Sequence, residues 1–157
     1  MKKDYNVIII GAGVIGLAIA RSLAGSGYKS VLIIEKEENF GRGMSSRNSE
    51  VIHSGIYYKK NSLKAKYCLR GRELLYEFCE KNNIWHKRCG KFIVAQKDQK
   101  TDLENLYQKA KANGVPNIKK INKQLITKMD SEINAESALF VGCTGIISAH
   151  ELMSAFF

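Results

Sequence analysis

The sequence predicts an α/β fold that opens on a parallel βαβ unit, and three observations carry the prediction. An apolar run at residues 7–10, VIII, leads into the glycine-bearing turn GAGVIG. A stretch rich in Ala, Leu and Ile follows from Val14 to Ala24, as a crossover helix requires. A second strand-like run, VLII, then ends in an acid, Glu35.

Each glycine of the turn has its own physical task. Gly11 permits the tight turn out of a buried parallel strand, Gly13 lets the backbone approach a pyrophosphate, and Gly16 lets the helix pack closely on the strand. The helix then offers its free N–H groups and positive dipole end to the phosphates. Gly27 stands where that helix would close. Glu35 lies 19 positions after Gly16, the spacing of a carboxylate that hydrogen-bonds an adenosine ribose and repels a 2′-phosphate. Strand, helix, strand and acid in register describe a Rossmann-like dinucleotide site rather than a glycine turn that binds nothing.

Composition narrows the class. The chain has 157 residues, is 45% hydrophobic and contains one proline, which suits a folded protein with a real core. Met1-Lys2-Lys3 followed by an apolar run and Ala18-Ile19-Ala20 imitates a secretory leader, but Asp4 interrupts the basic start and the glycines sit at phosphate-loop spacing. No segment approaches the roughly 20 apolar residues of a membrane-spanning helix. Cys68, Cys79, Cys89 and Cys143 form no CxxC pair and have no histidines at ligand spacing, so no metal site is expected and a reducing cytoplasm is the simpler setting. The net charge of +10 is spread along the chain without interleaved aromatics, which reads as solvated faces rather than a nucleic-acid surface. Loose attraction to anionic lipid at the inner face of the membrane, as a peripheral association, or to an acidic substrate is consistent with that charge.

Along the chain, the polar loop from Glu37 to Asn48 is followed at once by the glycine-containing EVIHSGIYY, two loops suited to one extended ligand. Asn61 or Ser62 caps a helix running to about Asn82, with Tyr67, Cys68, Leu74, Leu75, Phe78 and Cys79 as its apolar face. KFIVA reads as a strand, Thr101 and Glu104 as a capping box for a helix stopped by Gly114 and Pro116, Asn122 to about Asp130 as a short helix, and ALFVG as another strand. Ser148 and Glu151 open a last helix through a second capping box. It ends on Phe-Phe about two turns in, so the chain reads as the apparently truncated N-terminal part of a longer design.

The segment GRGMSSRNSEVIHSGIYY, residues 41–58, supplies hydroxyl, guanidinium and amide donors suited to a pyrophosphate or a flavin edge. Together with GAGVIG and Glu35-Lys36 it resembles the FAD-dependent oxidoreductases of the D-amino-acid-oxidase type. Within them it is most similar to the L-2-hydroxyglutarate oxidase or dehydrogenase branch, where NSxVIHSGIYY is typical. KFIVA and CTGIISAH fit the same branch, so the resemblance covers nearly the whole chain. FAD-dependent glycerol-3-phosphate dehydrogenases carry a related segment.

The resemblance implies a bound FAD, with Gly11, Gly13 and Gly16 on its pyrophosphate, Glu35 at the adenosine ribose, Ser45 and Ser46 as further phosphate or ribitol contacts, and Lys36 and Arg47 also in the cofactor site. It puts His53, Ser54 and Gly55 close to the isoalloxazine ring. It also implies three ranges: residues 1–88 as the FAD-binding domain, residues 89–142 as part of an inserted α+β substrate domain, and residues 143–157 as the return to the first. Ser148 departs from the branch, which often has an aspartate there. The family reaction oxidises a small 2-hydroxy acid, with either oxygen or a quinone or electron-transfer partner as electron acceptor.

His53 is the candidate base for the hydroxyl proton, since an imidazole titrates near neutrality; the competing readings make it a positioning group or a packed structural histidine. His86 reads as a loop residue and His150 as a first-turn helix residue. Arg47 and Tyr57 are candidates for a substrate carboxylate, with Tyr57 and Tyr58 read alternatively as strand packing. An NAD-linked reductase and an inert nucleotide-binding module are the rival functions; the segment after Glu35 favours flavin.

Overall fold

The computed structural model describes residues 4–157, so the basic start of the leader-like pattern, residues 1–3, lies outside the described residues. In chain order the elements are β1 (Val7–Ile10), α1 (Val14–Gly25), β2 (Val31–Ile34), β3 (Val51–Ile52), α2 (Leu63–Lys81), β4 (His86–Lys87), β5 (Phe92–Ala95), α3 (Lys100–Ala112), β6 (Ile118–Asn122), α4 (Lys123–Met129), β7 (Ser137–Val141), β8 (Gly145–Ile147) and α5 (Ala149–Phe156). Short 3₁₀ turns occupy Met44–Ser46 and Lys97–Gln99. By packing the chain divides into two units: the chain up to Glu50 with Lys81–Trp85 and Ile147–Phe157, and Val51–Glu80 with His86–Ile146. The second unit thus takes most of α2, which the sequence ranges grouped with the phosphate loop.

In the first unit β1 and β2 pair in parallel, from Val7 opposite Val31 to Ile10 opposite Ile34. The connecting α1 closes at Gly27, where φ is +91° and the N–H reaches the Ala24 carbonyl at 3.1 Å, the left-handed step that glycine takes without strain. Leu17 of α1, Met153 of α5 and Ala12 form a buried cluster, with Val14, Ile33, Phe40 and Phe156 packed against it. Arg21 Nη1 donates to the Ala155 carbonyl at 2.7 Å, tying α1 to the last turn of α5. The other side of the sheet is bare: Ile8 is 55%, Ile10 88% and Ile34 48% exposed. The expectation of a buried parallel strand is therefore not met: β1 is half-buried at Val7 and Ile9, on the helix-facing side, and exposed at Ile8 and Ile10.

Ser148 caps α5 as expected, its Oγ accepting the Glu151 N–H at 3.2 Å. The reciprocal half of the capping box is not made. Glu151 Oε2 takes the Trp85 N–H at 2.6 Å, and the Ser148 N–H goes to the Trp85 carbonyl at 2.9 Å, so one peptide strand claims both groups.

In the second unit β5, β7 and β6 form an antiparallel sheet with β7 central, Phe92 opposite Phe140 and Ile118 opposite Val141. Helix α3 covers it through Leu103 and Ala110, which share a core with Ile56, Leu139, Val141 and Cys143. Helix α4, capped by Asn122 Oδ1 on the Leu125 N–H at 3.0 Å, adds Ile126 to a smaller cluster with Ile121 and Ala138. A further sheet runs β3–β8–β4, with Val51 opposite Ile146 and Ile52 opposite Gly145.

Four local expectations are corrected here. Helix α2 buries Ala65, Arg72, Tyr76 and Cys79, whereas Tyr67 and Leu74 are exposed. The true inner stripe passes through an arginine, which hydrophobic periodicity does not detect. Helix α3 is entered from the 3₁₀ turn at Lys97–Gln99, with Gln99 Oε1 accepting the Gln96 N–H at 3.0 Å. Thr101 is consequently the second residue of the helix, and Glu104 pairs with Lys120 and accepts from Gln108 Nε2 instead of closing a box. Tyr57 and Tyr58 lie in the turn after β3, not in a strand, and His86 lies in β4, 5.8 Å from the Tyr76 ring, not in a loop.

Tyr76 Oη donates to the Cys143 carbonyl at 3.3 Å inside the second unit. Tyr76→Phe leaves that buried acceptor unpaired and is expected to cost about 1 kcal/mol, read as a lowered midpoint in thermal or urea denaturation.

Candidate functional site

The three glycines of the first loop occupy three different environments. Gly11 has φ +100° and donates its N–H to the Ile34 carbonyl at 2.7 Å, which turns the chain at the end of β1. A Cβ on Gly13 would stand 3.0 Å from Ser45 Oγ, so the backbone there is open only to a flat or thin neighbour. A Cβ on Gly16 would overlap the Gly11 carbonyl oxygen and reach Ile9 Cγ2, which makes glycine obligatory where α1 crosses β1.

Around that loop the Ala12 peptide is clamped on both sides. Its N–H donates to Glu35 Oε2 at 2.7 Å, and its carbonyl accepts the Gly41 N–H at 2.9 Å. Glu35 Oε1 also accepts the N–H groups of Lys36 at 2.8 Å and Glu37 at 3.1 Å. Three backbone donors, led by Ala12, hold the Glu35 carboxyl below the usual glutamate range. A carboxylate has about four lone-pair sites, so one on Oε2 is left for a ribose hydroxyl.

Because the folded pKa is depressed, the stability this group contributes is present above the unfolded glutamate value, near 4.5, and lost as pH falls through the lower folded value. Glu35→Gln should flatten that acid limb in a series of thermal melts across pH.

Ser45 Oγ accepts the Val14 N–H at 3.0 Å, at the start of α1, where a phosphate oxygen would also find donors. Gly11, Gly13, Glu35, Lys36 and Ser45 line one cleft of about 450 Å³. Gly16, Ser46 and Arg47 do not line it: Gly16 works behind the loop, Ser46 Oγ donates to the Gly43 carbonyl at 3.1 Å, and Arg47 ends the 3₁₀ turn in the open. Sequence reasoning missed Arg42 and Met44, which line the cleft with Gly41 and Gly43. The signal was an arginine between two glycines after the acid, a cation set on the wall of the same cleft.

A bare Cα at Gly13, a helix N-terminus, a spare carboxylate lone pair and a cleft of this size fit the adenosine pyrophosphate end of a dinucleotide.

His53, Ser54 and Gly55 belong to the second unit, in the turn after β3. Gly55 has φ +83°, and Asn113 Nδ2 donates to the Gly55 and Tyr58 carbonyls at 3.3 and 2.8 Å, fixing the turn to the end of α3. Ser54 Oγ is buried without a protein partner, a vacancy in hydrogen bonding that a bound group would satisfy. His53 is exposed, and its carbonyl accepts the Cys68 thiol at 3.4 Å. Partial desolvation and the ammonium groups of Lys91 and Lys64 push its imidazole below the ordinary histidine value. It is therefore neutral, and able to accept a proton, at pH 7. His150 lies in the first turn of α5, 6.2 Å from the Phe40 ring. No helix among the described residues is long and apolar enough to cross a membrane.

The chain is 42% identical over 159 residues to the mitochondrial L-2-hydroxyglutarate dehydrogenase of Dictyostelium discoideum, covering 99% of this chain and 36% of the relative. It is 39% identical over 156 residues to the human enzyme of that name, covering 98% and 34%. It thus spans about a third of the length of these curated relatives. Among solved structures it superposes on the FAD-bound L-alpha-glycerophosphate oxidase of Mycoplasma pneumoniae with a TM-score of 0.89 at 28% identity, covering 99% of this chain and 42% of that one. Glycine oxidase from Geobacillus kaustophilus gives 0.84 at 25% identity, covering 97% and 43%. Residues 6–157 match the FAD dependent oxidoreductase family, and the chain belongs to it.

Proposed function

We propose that the chain holds FAD and takes part in oxidising a 2-hydroxy acid, L-2-hydroxyglutarate, to 2-oxoglutarate. The observation that carries the cofactor assignment is the clamp on Ala12, where Glu35 and Gly41 shape the phosphate loop while Gly13 stays bare. Identity of 38–42% to L-2-hydroxyglutarate dehydrogenases over nearly the whole chain supports the substrate.

Gly11, Gly13 and Ser45 serve the pyrophosphate, Glu35 the ribose and Lys36 the outer edge of the cofactor site, while Ser46 and Arg47 stand outside the cleft. Ser54 and Gly55 serve its ring end. Bound FAD supplies a two-electron acceptor. The substrate gives up the hydride on its hydroxyl-bearing carbon as the C–H bond breaks, and His53 takes the hydroxyl proton, leaving the carbonyl of the 2-oxo acid. In this reading residues 1–88 and 143–157 serve the cofactor and residues 89–142 the substrate. The electron acceptor is oxygen or a quinone-linked carrier, and four cysteines that form no disulfide suit a reducing, cytoplasmic setting.

A second reading, oxidation of glycerol 3-phosphate, is favoured by the superposition on the glycerophosphate oxidase. Visible spectroscopy separates the two. The FAD-loaded protein is expected to be yellow and to bleach anaerobically with L-2-hydroxyglutarate but not with glycerol 3-phosphate. The opposite pattern selects the second reading, and a protein that refuses added FAD sinks both.

A further inference from the structure

Two lysines of the second unit, Lys91 and Lys64, have no ion-pair partner among the described residues. Lys91 stands just before β5, where its backbone is held rigidly: its N–H reaches the Val141 carbonyl at 3.3 Å and its carbonyl accepts the Val141 N–H at 2.9 Å. The preceding Gly90, at φ +71°, donates to the Thr144 carbonyl at 2.8 Å and lies against the Phe140 ring, so the approach to Lys91 cannot swing. Its Nζ lies 4.7 Å from the centre of the Tyr57 ring. Lys64, in the first turn of α2, places its Nζ 5.0 Å from the Tyr58 ring. Both ammonium groups act on His53, the proposed base.

Among the described residues, neither lysine nor His53 has a carboxylate within ion-pair distance; the carboxylates of Glu73, Glu104 and Glu136 are engaged by Arg70 and Arg72, Lys120 and Lys123. The Cys68 and Cys143 thiols near Lys91 do not substitute, because burial pushes both up and leaves them neutral at pH 7. An exposed cation–π contact is worth about 0.5–1 kcal/mol and asks for no burial. Lys91 is half-buried, and burial pulls its own ammonium down from the usual lysine value. A partly desolvated cation without a counter-charge is stabilised when an anion arrives.

We propose that Lys91, with Lys64 beside it, is the seat for a dicarboxylate, and that Lys91 takes the carboxylate remote from the hydroxyl-bearing carbon. Two separate ammonium groups match two negative charges. The half-buried one discriminates more sharply, because a site stripped of water loses most when its ionic partner is missing. Lys91 is thereby a specificity-determining residue: the carboxylate next to the reacting carbon is common to every 2-hydroxy acid, while the remote one distinguishes a dicarboxylate. The inference rests on the substrate reading above.

The test measures binding of glutarate and butyrate to the FAD-loaded protein by calorimetry, beside anaerobic flavin bleaching. Lys91→Gln should weaken glutarate at least tenfold and butyrate less than twofold, with Lys91→Arg restoring glutarate. Equal glutarate binding by wild type and Lys91→Gln, equal loss of both acids, or a wild type that ignores glutarate overturns the inference. A wild type that binds glutarate through Lys91 while no 2-hydroxy acid bleaches its flavin leaves the anion seat standing and sinks the substrate reading instead.

Discussion

His53→Ala is expected to slow anaerobic flavin reduction by L-2-hydroxyglutarate about 10²–10⁴-fold, the usual contribution of a positioned general base. FAD content should remain at the wild-type level, since the phosphate loop, Glu35 and Ser45 belong to a different unit. The pH profile sharpens the test. Only the neutral imidazole accepts the hydroxyl proton, so the rate should fall on the acid side and level off above the folded value, which lies below 6.5. Removing the charge of Lys91 lifts part of that depression, so the acid limb should move to higher pH in Lys91→Gln. A His53→Ala protein that bleaches at the wild-type rate removes the base assignment.

Gly16→Ala is the second large effect, and it acts on cofactor and fold together. The new methyl overlaps the Gly11 carbonyl, a backbone atom with little freedom: Gly11 is already at φ +100° and its N–H is tied to Ile34. Relief requires α1 to move off β1, which drags the first-turn donors away from the phosphates. The cost belongs at the upper end of core overpacking, about 3 kcal/mol, with flavin retention reduced by two orders of magnitude or more. Gly25→Ala is the matched control. Nothing lies within 4 Å of a Cβ there and the residue is helical, so the substitution should be neutral or stabilise by up to about 1 kcal/mol. Equal flavin content in the two variants would contradict the packing argument.

Much of this was legible in the sequence because local physics dictated it. A strand entering a glycine turn has few other conformations, and Asn122, Ser148 and Ser62 cap helices through their own side chains. Legibility ended where distant residues compete for the same group. Glu151 has the spacing of a capping box, yet a backbone N–H at Trp85, 66 positions away in sequence, takes its carboxylate. Glu104 likewise prefers Lys120. The inner face of α2 was misread because Arg72 is buried beside the Cys143 thiol at 3.7 Å, a choice of tertiary packing that periodicity treats as solvent-facing. At the candidate site, Glu35 was visible from its spacing to Gly16, whereas the cationic surroundings of His53 required Lys64 and Lys91, 27 residues apart, to be brought together by the fold.

The uncovered isoleucines of β1 and β2 have a colloidal consequence. Parallel sheets are ordinarily sheathed on both sides, and here Ile8, Ile10 and Ile34 meet solvent along one of them. A chain of this length prepared alone should light up a fluorescent hydrophobic dye, adhere to phenyl resin and precipitate early as sulfate is raised, because excluded salts strengthen the drive to hide such a surface.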